Sequence, residues 1–103
     1  MSVSATAILE DSARRLFPNQ SLDQALAELL LERAQKNLIK YQAMSRRFEA
    51  KYHQDFDTFR QQVLGSEPTT EIEQDYFDWE LAVTGIADMT EEINRLRSPS
   101  QSL

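Results

Sequence analysis

The sequence contains no cysteine, only two glycines, three prolines and a single histidine. Without cysteine there is no disulfide framework, no thiol nucleophile and no cysteine-based zinc site. So few glycines argue against barrels, sandwiches and phosphate-cradling loops, which need backbone freedom at repeated positions. Basic residues are the minority: 11 Lys and Arg stand against 17 Asp and Glu, a net charge of -6. That balance disfavours generic binding to nucleic acid or anionic membranes. No run approaches the roughly 18 apolar residues that a membrane span requires. The opening MSVSATAILED has no basic segment followed by an apolar core, so no signal peptide is expected and a cytoplasmic location is. At 103 residues there is room for one small domain, with a core thin enough that a partner chain often completes it.

What the chain does have is helical periodicity with clear punctuation. Ser21 and Gln24 have the spacing of a capping box, and Pro18 and Asn19 separate it from what precedes. From there Ala27, Leu31, Ala34, Leu38, Tyr41, Ser45, Phe48 and Tyr52 recur by threes and fours, drawing one apolar stripe along a helix over Leu22–Tyr52 of roughly 45 Å. A break follows at His53 and Gln54. Asp55 suits the N-cap of a short helix carrying Phe56, Phe59, Val63 and Leu64, and Gly65 is placed to end it. Thr70 and Glu73 then make a second capping box. In the helix they open, Ile72, Trp79, Ile86 and Ile93 fall seven apart, with Ala82, Met89 and Leu96 three further on, until Ser98 and Pro99 stop it. Gly85 inside this seam either costs about 1 kcal/mol of helix propensity or marks the close approach of another backbone.

These elements predict an all-α fold: a long antiparallel helical hairpin over 21–97 with a short intervening helix, completed by dimerisation or by a partner. Residues 98–103 read as a disordered tail. Residues 1–20 form an N-terminal arm whose default is a short helix ending at Pro18, with Ile8, Leu9, Ala13, Leu16 and Phe17 at helical spacing. A strand over Val3–Ile8 is the alternative, since Val3, Ala5 and Ala7 alternate with Ser2, Ser4 and Thr6. Strand, helix, turn, helix is the order of a ribbon-helix-helix DNA-binding dimer. Such a ribbon would here carry no side chain suited to reading base edges, leaving Arg14 and Arg15 as the first basic residues available to nucleic acid.

Charge is unevenly distributed. Between Arg33 and Arg60 there are seven basic residues and three acids, whereas Gln61–Asn94 holds nine acids and no Lys or Arg. Mutual neutralisation across the hairpin is one reading, an acidic surface offered to a basic partner is the other, and the two are compatible. Phe77 lies almost opposite Trp79 on its helix and shares a face with Glu73 and Glu80, which makes Glu73, Phe77 and Glu80 the candidate partner-binding set. Leu22, Leu26 and Leu29 make a second apolar stripe on the first long helix, opposite the hairpin stripe. That stripe must be covered by the N-terminal arm, a second copy of the chain or a foreign protein.

Nothing in the pattern carries chemistry. The lone His53 sits in a turn without a second histidine, and no base accompanies any serine or threonine. Glu71, Glu73, Asp75, Asp78 and Glu80 lack the Glu-x-x-His motifs of di-metal bundles. No catalytic residue, metal or cofactor is expected.

The stretch Tyr41–Ile86 resembles small helical antitoxin-like proteins of bacterial and archaeal toxin–antitoxin modules. The likeness is carried by Phe48, Glu49, Lys51 and Tyr52 at the end of the long helix, by Asp55, Phe56 and Phe59 in the short one, and by Asp75, Phe77 and Trp79 opening the last. It spans under half of the chain, and the residues before Ser21 are an addition to the shortest members of that group. The resemblance implies an acidic, non-enzymatic protein that neutralises a toxin by direct binding and in some cases represses its own operon. The alternatives are a dimeric DNA-binding regulator and a homo-oligomeric helical adaptor.

Overall fold

The computed structural model describes residues 4–97. Four helices follow in order: α1 (Ala5–Leu16), α2 (Leu22–Tyr52), α3 (Phe56–Leu64) and α4 (Thr70–Arg97), with no strand among the described residues. The expected tail over 98–103 lies outside the described residues, as does Val3 of the alternative strand.

Local chemistry sets most of the boundaries. The Ser4 hydroxyl accepts from the Ala7 amide at 3.1 Å and starts α1, so Ala5–Ile8 are helix and form no ribbon. At Ser21 the capping box is complete: the hydroxyl accepts from the Gln24 amide at 3.1 Å, and the Gln24 side chain accepts from the Ser21 amide at 3.0 Å. The chain leaves α2 through His53, whose φ of 53° places a non-glycine residue in the left-handed region while its amide donates to the Glu49 carbonyl. Asp55 caps α3 through the Thr58 amide at 2.8 Å, and Gly65 ends it. The expected cap at Thr70 is corrected to Thr69. The Thr69 hydroxyl accepts from the Ile72 amide and its carbonyl from the Glu73 amide, so α4 starts one residue earlier than the Thr70–Glu73 pair suggests.

The hairpin forms between α2 and α4. Trp79 faces Ser45, Gly85 faces Tyr41 and Asp75 meets Lys51, an antiparallel register in which one helix descends as the other climbs. Both expected stripes face this contact: Ala34, Ser45, Trp79, Ala82, Gly85 and Ile93 are buried, and Leu31, Leu38, Tyr41, Phe48, Ile72, Ile86, Met89 and Leu96 are half-buried between them. At the closed end α3 folds over the hairpin and Phe59 and Val63 complete a core around Trp79. Phe48, Tyr52, Phe56 and Phe59 all place ring centroids between 5.1 and 6.2 Å from the indole. Trp79 is 0% exposed, and its indole N–H donates to the buried Ser45 hydroxyl at 3.1 Å.

The opposite end is built differently. The last turns of α4 share a shallow depression with Gln35, Leu38 and Ile39, so the first turns of α2 run on past them. There α1 packs across the start of α2, where Ala25 is buried, yet α1 itself buries none of its residues. The molecule measures 61 × 37 × 20 Å with a radius of gyration of 20.1 Å, whereas a compact chain of this length has about 13 Å.

Gly85 is explained by a side chain and not, as the sequence suggests, by a backbone. A Cβ there would meet the Tyr41 ring at 2.6–2.7 Å. Gly85→Ala should therefore lower stability by about 1–2 kcal/mol in chemical unfolding despite its gain in helix propensity, and pairing it with Tyr41→Leu should restore most of the loss. Ser45→Ala should cost about 1–3 kcal/mol by leaving the Trp79 N–H buried and unpaired. A thermal midpoint equal to that of the parent would contradict the assigned hydrogen bond.

Candidate functional site

The acidic helix α4 divides its carboxylates between two directions. Glu71 and Asp75 turn toward α2, where the Lys51 ammonium donates to Glu71 Oε1 at 3.0 Å and to Asp75 Oδ2 at 2.6 Å, and Asp75 also accepts from the Tyr52 hydroxyl. Burial acts to raise the Asp75 pKa, but the hydrogen bonds from Lys51 and Tyr52 together with the Lys51 charge outweigh it and hold the carboxyl below the usual carboxylate range. Tyr52 is pushed up, by burial first and then by its bond to Asp75. Lys51 is raised as well, chiefly by its hydrogen bonds to Asp75 and Glu71.

Neutralisation across the hairpin is realised at this clasp alone among the described residues. The other described ion pairs are Asp11 with Arg15 inside α1 and Glu92 with Arg95 inside α4. Arg33, Lys36, Lys40 and Arg47 are exposed on the outer side of α2 and make none.

Glu73, Phe77 and Glu80 point the other way, and all three are exposed. Phe77 is 54% exposed, and its ring meets that of Tyr76 edge to face, with centroids 5.6 Å apart. One residue was missed. Leu81, four positions after Phe77 and 57% exposed, extends the apolar strip by a turn, and the i, i+4 spacing was the signal that could have found it. The result is a two-residue apolar strip bordered along one side by the Glu73 and Glu80 carboxylates, on the back of a helix whose other side is the hairpin core. Both residues lie open on the helix surface, so the geometry suits a flat contact with another macromolecule more than enclosure of a small ligand.

The leucines of the second stripe lie elsewhere. Leu22, Leu26 and Leu29, joined by Leu30, are all close to half exposed, so α1 does not cover them. Arg15 is engaged by Asp11 at 3.1 Å, and Arg14 lines a shallow depression with Glu10, Ala13, Gln20, Ser21 and Leu22. No group of three or more His, Cys, Asp or Glu is placed to hold a metal among the described residues, and no described helix is long and apolar enough to cross a membrane.

Comparison with protein-family models, with curated proteins and with solved structures found no match.

The clasp makes a pH prediction. The folded-state pKa of Asp75 lies below its ordinary 3.8, so its contribution is complete above that value and is lost as pH falls through the folded pKa. The unfolding midpoint of the parent protein should hold level down to about pH 5 and fall below about pH 4. Asp75→Asn should start lower at neutral pH and show a shallower acid decline. Parallel curves for the two proteins would remove Asp75 from the account.

Proposed function

We propose that this chain is a non-enzymatic helical protein-binding module, and that it acts as the antitoxin of a toxin–antitoxin pair by occupying the surface of a basic toxin. The observation that carries the reading is the strip of Phe77 and Leu81, both more than half exposed, with the carboxylates of Glu73 and Glu80 along one side of it. An aromatic and a leucine left in water on a rigid helix are suited to anchor a partner, and carboxylates at their rim favour a partner that is cationic around an apolar pocket. The helix is held from behind by the Trp79 core and by the Lys51 clasp, so little ordering is required when the partner docks. The likeness of Tyr41–Ile86 to antitoxin-like proteins supports the same direction.

The DNA-binding alternative has less behind it. The helical start at Ala5 leaves no ribbon to enter a groove, and Arg15 is already paired with Asp11.

The test uses the protein encoded by the neighbouring reading frame as the candidate toxin. Co-expression should relieve the growth defect that this neighbour causes alone, and the two proteins should co-purify. Phe77→Ala should then weaken the complex by more than about 1 kcal/mol, roughly a five-fold or greater rise in Kd. Full affinity in that variant would remove Phe77 as the anchor, and a harmless, non-binding neighbour would remove the antitoxin reading.

A further inference from the structure

We propose that the back of α2 in one copy of this chain receives the back of α4 in another, antiparallel, with Phe77 seated over Ala43 between Lys40 and Arg47. The two faces are opposite in charge and cannot meet within one molecule. From Arg33 to Phe48 the chain carries five basic residues and no acid, and α4 carries no Lys or Arg before Arg95. Ser45, Tyr41, Trp79 and Gly85 lie between the two helices, so the exposed residues on their far sides point away from each other. Lys40 and Arg47 are exposed and make no ion pair among the described residues, and the same holds for Glu73 and Glu80. Each face therefore holds charge that its own fold leaves unneutralised.

Spacing selects the occupant. On α2 the exposed seam steps from Arg47 back to Ala43 by four residues and on to Lys40 by three, and on α4 it steps from Glu73 forward to Phe77 by four and on to Glu80 by three. Antiparallel overlap brings these steps into phase over about 10 Å. Arg47 is then level with Glu73, Ala43 with Phe77 and Lys40 with Glu80, so the aromatic ring meets the smallest side chain of the opposing seam. Matching the charges in a parallel overlap puts Phe77 level with Met44 instead, which is half-buried and off the seam. In the antiparallel register Lys36 and Arg33 come level with Thr84 and Ala87, and no like charges stack along the seam between Arg33 and Arg47. A nucleic acid on the cationic face would have to approach a chain of net charge -6, whereas α4 offers carboxylates at the required intervals. The contact is heterologous, one face giving and the other receiving, so it does not close after two copies. It covers the surface proposed above for a protein partner without depending on that partner, and the two associations compete for Phe77.

Sedimentation equilibrium of the full chain alone tests this, so the result is independent of the neighbouring gene's product. At about 20 mM salt the weight-average mass should rise with concentration past that of a dimer, and at about 0.5 M salt it should return to the monomer. Lys40→Glu combined with Arg47→Glu should raise the concentration needed for association by at least about ten-fold, with helicity by circular dichroism and Trp79 emission unchanged. Glu73→Lys combined with Glu80→Lys should do the same. Mixed in equal amounts, the two doubly substituted chains should associate again, because each reversed face then meets its complement. A monomer at every concentration in low salt, a mass that levels at a dimer, or no recovery on mixing would each overturn the proposal. A monomeric parent that retains a DNA duplex through Lys40 and Arg47 would overturn it in favour of nucleic acid on the cationic face.

Discussion

The indole of Trp79 must be both dry and hydrogen-bonded, and much of the fold follows from meeting those two demands together. Its N–H reaches the Ser45 hydroxyl across the hairpin, which fixes the register of α4 against α2 at one point. Its ring faces are closed by Phe48 and Tyr52 from α2 and by Phe56 and Phe59 from α3. That closure gives the short helix a reason to fold back instead of extending the rod. An apolar side chain at position 79 could have filled the volume, but it would not have selected one register among the several that two heptad stripes allow.

From that anchor the hairpin is organised by what can approach what. Gly85 lets the Tyr41 ring lie against the backbone of α4, two turns beyond the indole, and Lys51 ties Asp75 and Glu71 near the closed end. These contacts leave α4 with one satisfied side and one side in water. The carboxylates divide accordingly, Asp75 held low in pKa by its donors and Glu73 and Glu80 free at the rim of Phe77.

Much of this could be read from the residues. The stripes ending at Tyr52 and starting at Ile72 announce two long helices, Ser21 with Gln24 announces the start of α2, and the outward position of Phe77 follows from its placement opposite Trp79. The failures have specific causes. Thr69 and Thr70 are equally good caps, and the choice depends on how the chain leaves Pro68, which spacing does not encode. The partner of Gly85 is a long-range contact and had no local signal. Charge totals suggested neutralisation across the hairpin, but Arg33, Lys36, Lys40 and Arg47 share the seam of Leu22 and Leu26, on the far side of α2 from α4. The heptad positions held that information, and counting charges by segment discarded it. Ser45 was placed on the buried stripe by periodicity alone, without the hydrogen bond that makes a polar residue acceptable there.

The sole tryptophan sits at one end of a rod whose burial is lopsided. Rings concentrate cohesion around it, whereas α1 buries nothing and the neighbouring leucines are half wet. Such a molecule opens in stages, the arm and the first turns of α2 loosening at small cost long before the aromatic end yields. Indole fluorescence therefore watches only the last stage of melting and is blind to the fraying that precedes it, so a single sigmoidal trace from this protein describes half of the rod.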